Sequence, residues 1–199
     1  MKDMVHEFHP DTGTDSKFAE MFADLVPDFR YAADVGACDG VYADNTKWLE
    51  DMGWKVLCIE PNPVVEEALR RNRKLVKAVA CGAEDRAAAQ YYSCGAFPHA
   101  CDSGLLKDSR HAGAHITSIH AVQVRTLDGL LEEAEFPSLD YLSIDVEGYE
   151  DQVWAGFSLD RWRPTIMVIE SVKDDFPTPD GYTKHRWAHL DSVFVRRDK

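Results

Sequence analysis

Short apolar segments that alternate with amphipathic ones predict an α/β fold: a doubly wound, mostly parallel sheet closed by a C-terminal antiparallel hairpin. Three observations carry that expectation. "YAADVG", "WKVLCIE", "LDYLSIDVEGYE" and "PTIMVIES" each contain the nearly continuous apolar run of a strand buried on both faces. Stretches with helical spacing or helix start and stop signals stand between most of them. The closing "GYTKHRWAHLDSVFVRR" has no helix between its halves and reads as a hairpin.

Taken in order, Phe18, Met21, Phe22 and Leu25 recur at helical spacing, so Asp15 to Val26 reads as an amphipathic helix stopped by Pro27. "YAADVG" is a strand ending in a glycine turn. Val41 to Met52 reads as a helix with Gly53 as its stop. "WKVLCIE" is the second strand. Asn62 as N-cap and Pro63 at the first helical position open the next helix, "PNPVVEEALRRNR". "LVKAVA" is a third strand, and "AAAQYYS" a fourth segment at the sheet edge.

Cys94 to Thr117 is rich in Gly, His, Ser and Asp, without clear periodicity, and reads as a long loop or lid. "IHAVQV" returns to strand and "TLDGLLEEA" to helix. "LDYLSIDVEGYE" enters a glycine turn followed by a short helix through Val153 and Trp154, and "PTIMVIES" is the last parallel strand. No repeat, linker or low-complexity stretch divides the chain. A single domain of 199 residues is expected, with residues 1–30 as an N-terminal helical segment and 31–199 as the core.

Composition narrows the function. A formal net charge of −13 disfavours nucleic acid as the main partner. "RRNRKLVK", Arg70 to Lys77, is the one basic run and reads as the solvated end of a helix. No apolar run approaches the ~20 residues of a membrane helix, and the N-terminus lacks a signal-peptide core, so a cytoplasmic protein is expected. Five cysteines form an odd set without a disulfide-scaffold pattern, which fits a reducing compartment.

The stretch "DVGACDGVYADN" carries the first chemical signal. It lies beyond the first strand, where ligands bind in sheets of this kind. Gly36 and Gly40 match part of a dinucleotide fingerprint, but Cys38 stands where a glycine would let backbone approach a pyrophosphate. Asp34 is a carboxylate that a diphosphate would avoid and a cation would seek. S-adenosylmethionine, a nucleoside with a sulfonium and an ammonium and no phosphate, answers both features. Glu60 ends the second strand, where an acid accepts hydrogen bonds from ribose hydroxyls, in NAD as in S-adenosylmethionine.

"DVGACDGVYADNT", "GWKVLCIEPNP", "VRTLDGLL" and "LDYLSIDVEGYE" resemble the successive motifs of FkbM-type methyltransferases, also called methyltransferase 21, from about Tyr31 to Glu170. The resemblance implies a Rossmann-like class I methyltransferase fold with a seven-stranded sheet in the order 3-2-1-4-5-7-6. It implies methyl transfer to oxygen on a sugar or another secondary metabolite. It also implies that Asp34, Gly36 and Gly40 hold the methionine part of the cofactor, Glu60 the ribose, and Ala80 and Cys81 the adenine border. The chain departs from the family after Glu170, where only "SVKDDFPTPD" precedes the hairpin in place of a further helix.

Methyl transfer to an alcohol needs alignment and an acceptor for the hydroxyl proton. Asp145 ends one strand, Glu147 and Glu150 follow it, and Glu170 ends the neighbouring strand. Asp145, Glu147 and Glu170 are the candidate catalytic residues. One carboxylate could serve as base, or Asp145 and Glu170 could chelate Mg²⁺. Glu150 reads as a helix-starting acid.

His185 and His189 are alternative bases. A zinc site from Cys94, Cys101, His111 and His115 has suitable ligand types but no compact C-x-x-C pair, so polar loop residues are the preferred account there, with His99 and His120. Tyr91, Tyr92, Trp154 and Trp187 read as core or cleft lining. The rival readings are an NAD-dependent oxidoreductase, a nucleic-acid methyltransferase and a non-catalytic S-adenosylmethionine-binding module.

Overall fold

The computed structural model describes residues 30–42, 44–94, 103–105, 116–170, 176–186 and 191–198. The chain runs β1 (Tyr31–Val35), α1 (Lys47–Asp51), β2 (Lys55–Ile59), α2 (Glu66–Asn72), β3 (Leu75–Lys77), β4 (Ala80–Cys81), β5 (Arg86–Cys94) and β6 (Ile116–Arg125). It continues as α3 (Leu127–Glu133), β7 (Tyr141–Ile144), α4 (Glu150–Ala155), α5 (Leu159–Trp162), β8 (Ile166–Glu170), β9 (Tyr182–Arg186) and β10 (Asp191–Arg196). The expected helix at Asp15 to Val26, and the 1–30 segment up to residue 29, lie outside the described residues.

Seven strands form one sheet in the order β3-β2-β1-β7-β8-β10-β9. β1 pairs in parallel with both β2 and β7, and β7 with β8, which makes the sheet largely parallel. β10 is antiparallel to β8 and to β9, so the closing pair enters the sheet with its second strand inward.

Period-two alternation distributes these strands' side chains over two cores. On one face Ala33, Val35, Leu57, Ile59, Leu142 and Ile144 pack with Leu127, Leu130, Val153 and Trp162 of α3, α4 and α5. On the other, Ala32, Val56, Cys58 and Tyr141 pack with Leu49 of α1 and Leu69 of α2. Helices therefore cover both faces. Among the described residues no helix is long and apolar enough to cross a membrane.

Two helices begin later than the sequence suggests. The helix expected from Val41 is α1, starting at Lys47, because aspartates bind the intervening amides. Asp39 Oδ1 accepts from Val41 N and Tyr42 N at 3.0 and 2.7 Å, and Asp44 Oδ1 accepts from Thr46 N at 2.8 Å and from Lys47 N. Gly53 ends α1 as expected, at φ +92°, with Trp54 N returning to Leu49 O at 3.1 Å. α2 starts at Glu66; Asn62 Oδ1 instead accepts Val64 N at 3.1 Å in the turn ahead of it.

A second sheet was not expected. "LVKAVA" divides into β3, in the central sheet, and β4, which leaves it. β4 pairs in parallel with β6, and β6 antiparallel with β5, giving a three-stranded sheet in the order β4-β6-β5. "AAAQYYS" is thus in β5, not on the edge of the central sheet. Most of β6 alternates between intermediate and exposed positions, as a ribbon with one solvated face does. Cys94 and Thr117, placed in the expected loop, belong to β5 and β6, and Gly104 forms an isolated bridge to Tyr92.

Candidate active site

A cleft opens beyond the carboxyl ends of β1, β2, β4 and β7. Gly36, Glu60, Ala80, Cys81, Asp145 and Glu147 line it, with Val35, Ile59, Pro61, Val146 and Tyr149. The second sheet, which already contributes Ala80 and Cys81 of β4, adds Tyr91 of β5, and the short segment Ser103, Gly104 and Leu105 completes the wall. Six of the nine residues singled out for cofactor and catalysis therefore share one cavity; Asp34, Gly40 and Glu170 are not in its lining.

Gly36 is required by strand geometry. At φ +93°, an added Cβ would lie 1.6 Å from the Asp145 carbonyl oxygen. Asp145 N donates to Val35 O at 2.9 Å, and Gly36 N to Ile59 O at 2.9 Å. The ends of β1, β2 and β7 meet through this residue. Cys38, where a dinucleotide fingerprint has glycine, adopts a left-handed backbone at φ 45° and donates its N–H to Glu60 Oε2 at 3.1 Å. Cys38 is disulfide-bonded, so the expected wholly reduced cysteine set does not hold here; Cys58 and Cys81 are buried thiols.

Asp34 points away from the cleft. It shares strand parity with Ala32, so it faces the α1–α2 side of the sheet, where Thr46 Oγ1 donates to its Oδ2 at 2.7 Å. Arg73 is the hub of that region. Its fully buried guanidinium donates to Thr46 Oγ1 at 2.7 Å and pairs with Asp44, with Glu50 at 3.3 Å and with Asp34 at 3.9 Å. Burial, and then the charge of Asp44, push the Asp34 carboxyl up to about 8, against the pull of Arg73.

Gly40, at φ +78°, belongs to the same assembly: an added Cβ would meet Arg73 Cγ at 2.4 Å. Asp34 and Gly40 thus act beneath the turn, holding its shape. Arg73 lies in the basic run read as a solvated helix end, and there the expectation fails: Arg70 and Arg71 are exposed, but Arg73 turns inward. The available signal was its spacing of four from buried Leu69.

Glu60 ends its strand facing the cleft, 6% exposed. Its Oε1 accepts from Asn62 N at 2.7 Å and from the Tyr91 hydroxyl at 3.3 Å, and its Oε2 from Cys38 N. Burial raises its pKa to about 7, and these three donors pull it back toward the charged form.

The second group of acids converges at the tips of β7 and β8. One carboxylate oxygen each from Asp145, Glu147 and Glu170 lies within 4.8 Å of the others. Glu147 adopts φ 57° and Gly148 φ 94°, a backbone that a non-glycine side chain rarely takes and that functional sites often hold under strain. Glu150 secures that turn. It is the first residue of α4, as the sequence suggests, but it is buried and accepts from Gly148 N at 2.9 Å and Val146 N at 3.4 Å.

Neither of the two described histidines joins this site. His120 on β6 bonds Ser118 at 2.8 Å, and His185 on β9 is exposed; neither is in the cleft lining. His99, Cys101, His111, His115 and His189 lie outside the described residues, as does Trp187. Tyr92 pairs with Gly104 and lies outside the lining, and Trp154 packs edge-on against Phe176 in the core around α4.

The family model described as the methyltransferase FkbM domain matches residues 34–192, most of the chain. Among curated proteins none matches significantly.

Proposed function

The chain belongs to the FkbM methyltransferase family, and from that premise we propose that it moves a methyl group from S-adenosylmethionine to a hydroxyl, on a carbohydrate or another secondary metabolite. The fold in this reading is the Rossmann-like class I methyltransferase fold, which the observed strand order fits. One observation carries the proposal. A strand-end carboxylate suited to a ribose, Glu60, opens onto the same cleft as Asp145 and Glu147, part of the acid cluster suited to a proton transfer.

The cleft suits this donor better than a dinucleotide. Ala80, Cys81 and Leu105 give apolar surface for an adenine. Beside Gly36, where a pyrophosphate would lie, stand Asp145 and Glu147, which favour the ammonium and sulfonium of the donor and repel phosphate. The argument against NAD therefore rests on these two acids rather than on Asp34.

When bound, S-adenosylmethionine supplies an electrophilic methyl on a positively charged sulfur. The chain's own residues do the rest. Glu60 accepts hydrogen bonds from the ribose and fixes the nucleoside along the β2 end. Gly36 keeps β1 and β7 in contact, so that this anchor and the acid cluster keep a constant separation. The acceptor hydroxyl enters near Asp145, Glu147 and Glu170, and one of these carboxylates takes its proton as the oxygen attacks. Alignment and exclusion of water from the cleft lower the barrier of the in-line displacement.

The test is incubation of the protein with methyl-labelled donor and fractionated host metabolites. Label in a carbohydrate or secondary-metabolite fraction supports the proposal. Label in nucleic acid or lipid would replace the acceptor. Binding of the donor with no label in any fraction would leave a non-catalytic binding module.

A further inference from the structure

The second sheet brings one phenol to the donor side of the cleft. Tyr91, on β5, is 4% exposed and lines the cavity with Glu60 across from it, its hydroxyl 3.3 Å from Glu60 Oε1. We infer that Tyr91 is a positioning and specificity residue of the donor site, which together with Glu60 reads the two hydroxyls of a ribose as a pair; this rests on the donor reading above.

The argument is an accounting of acceptors. A carboxylate offers about four lone-pair positions. Two on Oε1 are taken by Asn62 N and the Tyr91 hydroxyl, and one on Oε2 by Cys38 N. One position on Oε2 is left for a ligand. The phenol, its O–H engaged as a hydrogen-bond donor to Glu60, keeps its own oxygen lone pairs. A cis-diol brings two donors, so the pair presents one carboxylate acceptor and one phenolic acceptor to match them. Glu60 alone would meet only half of the diol well.

The phenol also remains a donor. Burial, then the charge and hydrogen bond of Glu60, then the charge of Glu147, raise its pKa well above the usual tyrosine value. In return its hydroxyl favours the ionised Glu60 that a ribose requires, against burial that raises Glu60 to about 7. The other groups facing this pair are Asn62 and Cys38 amides on one side and the Asp145 and Glu147 carboxylates across the cleft. No other residue of β5 is in the cleft lining; the second sheet's other lining residues, Ala80 and Cys81 of β4, carry no side-chain hydrogen-bonding group for a ribose hydroxyl comparable to the phenol.

Tyr91→Phe keeps the ring and removes only the hydroxyl. In ligand-free protein, carboxyl carbon titration by NMR, assigned with Glu60→Gln, is expected to show the Glu60 midpoint about half to one unit higher in Tyr91→Phe than in the wild type. S-adenosylhomocysteine binding by calorimetry is expected to weaken roughly three- to tenfold at pH 7, with the gap narrowing toward pH 9 as Glu60 ionises in both proteins. The wild type should also prefer S-adenosylhomocysteine over its 2′-deoxy or 3′-deoxy analogue more strongly than Tyr91→Phe does. An unchanged Glu60 midpoint overturns the inference, as does a binding loss that is equal at every pH with hydroxyl preference intact. Failure of the wild type to bind S-adenosylhomocysteine at any pH would instead overturn the donor reading, and the ligand-free titration would still decide the Tyr91–Glu60 coupling.

Discussion

Replacing Arg73 with methionine should unfold the region under the glycine turn, and the size of the effect follows from the charges that Arg73 holds. Its side chain is wholly buried, and those of its partners Asp44, Glu50 and Asp34 are 1%, 3% and 5% exposed. Methionine fills much of the volume, so the loss comes from buried acids left with no guanidinium: Asp44 and Glu50, joined by Asp34 as pH rises toward its pKa of about 8. Removing one partner of a buried ion pair costs about 3–5 kcal/mol. That is a large part of the ~5–15 kcal/mol by which a typical domain is stable.

The pH dependence has a definite sign. Asp34 has a folded pKa of about 8, raised by burial and by Asp44. An acid raised above its unfolded value of about 3.9 contributes stability that is complete below that value and lost as pH rises through the folded one. Wild-type stability from this group therefore falls between about pH 4 and 8. Without Arg73, which favours the charged form, the loss extends further up in pH. Urea unfolding at pH 5.5 and 8.5 should show Arg73→Met destabilised at both, and more at 8.5. Adding Asp44→Asn should recover part of the loss. A variant within ~1 kcal/mol of wild type at both pH values would refute the view that Arg73 holds the turn together.

Two further outcomes test the site. Gly36→Ala places a methyl on the Asp145 carbonyl and strains a left-handed backbone, so it should lose roughly 3 kcal/mol or more, read by thermal unfolding; near-neutral stability would mean that β1 and β7 need not touch there. Glu147→Gln and Glu170→Gln should each slow methyl transfer by roughly 10²–10⁴-fold. Glu170→Gln should leave S-adenosylhomocysteine affinity within a few-fold, since Glu170 is outside the cleft lining. EDTA should not change wild-type turnover; loss on EDTA with recovery on added Mg²⁺ would move the acid cluster from proton transfer to metal binding.

The central strands were legible because burial on both faces leaves a continuous apolar run, as in "VLCI" and "IMVI". Glu60 and Asp145 were legible for the same reason: a charged residue closing such a run has to emerge at the strand end, where the cleft lies. The second sheet was not. Its strands β5 and β6 pair across the segment between Cys94 and Ile116, and an alternating ribbon carries no mark of which sheet it joins. Asp34 reads as a cation's partner from its place near the end of the first strand and from the motif, but the structure pairs it with Cys58 and its parity with Ala32 puts it on the other face. Arg73 was hidden because three neighbouring cations in the same run are ordinary surface residues. Only its spacing of four from Leu69, at the cap of α2, distinguished it. Glu150 was read by its place in the helix, but its role is set by the amides of the turn before it.

The most direct test of the account is calorimetric titration of the purified protein with S-adenosylhomocysteine and, separately, with NAD. The cleft, with Glu60 at the ribose end and Asp145 and Glu147 where a pyrophosphate would lie, predicts saturable one-to-one binding of S-adenosylhomocysteine, weakened at least tenfold by Glu60→Gln, and no measurable binding of NAD. Binding of NAD in preference to S-adenosylhomocysteine, or S-adenosylhomocysteine affinity untouched by Glu60→Gln, would contradict it.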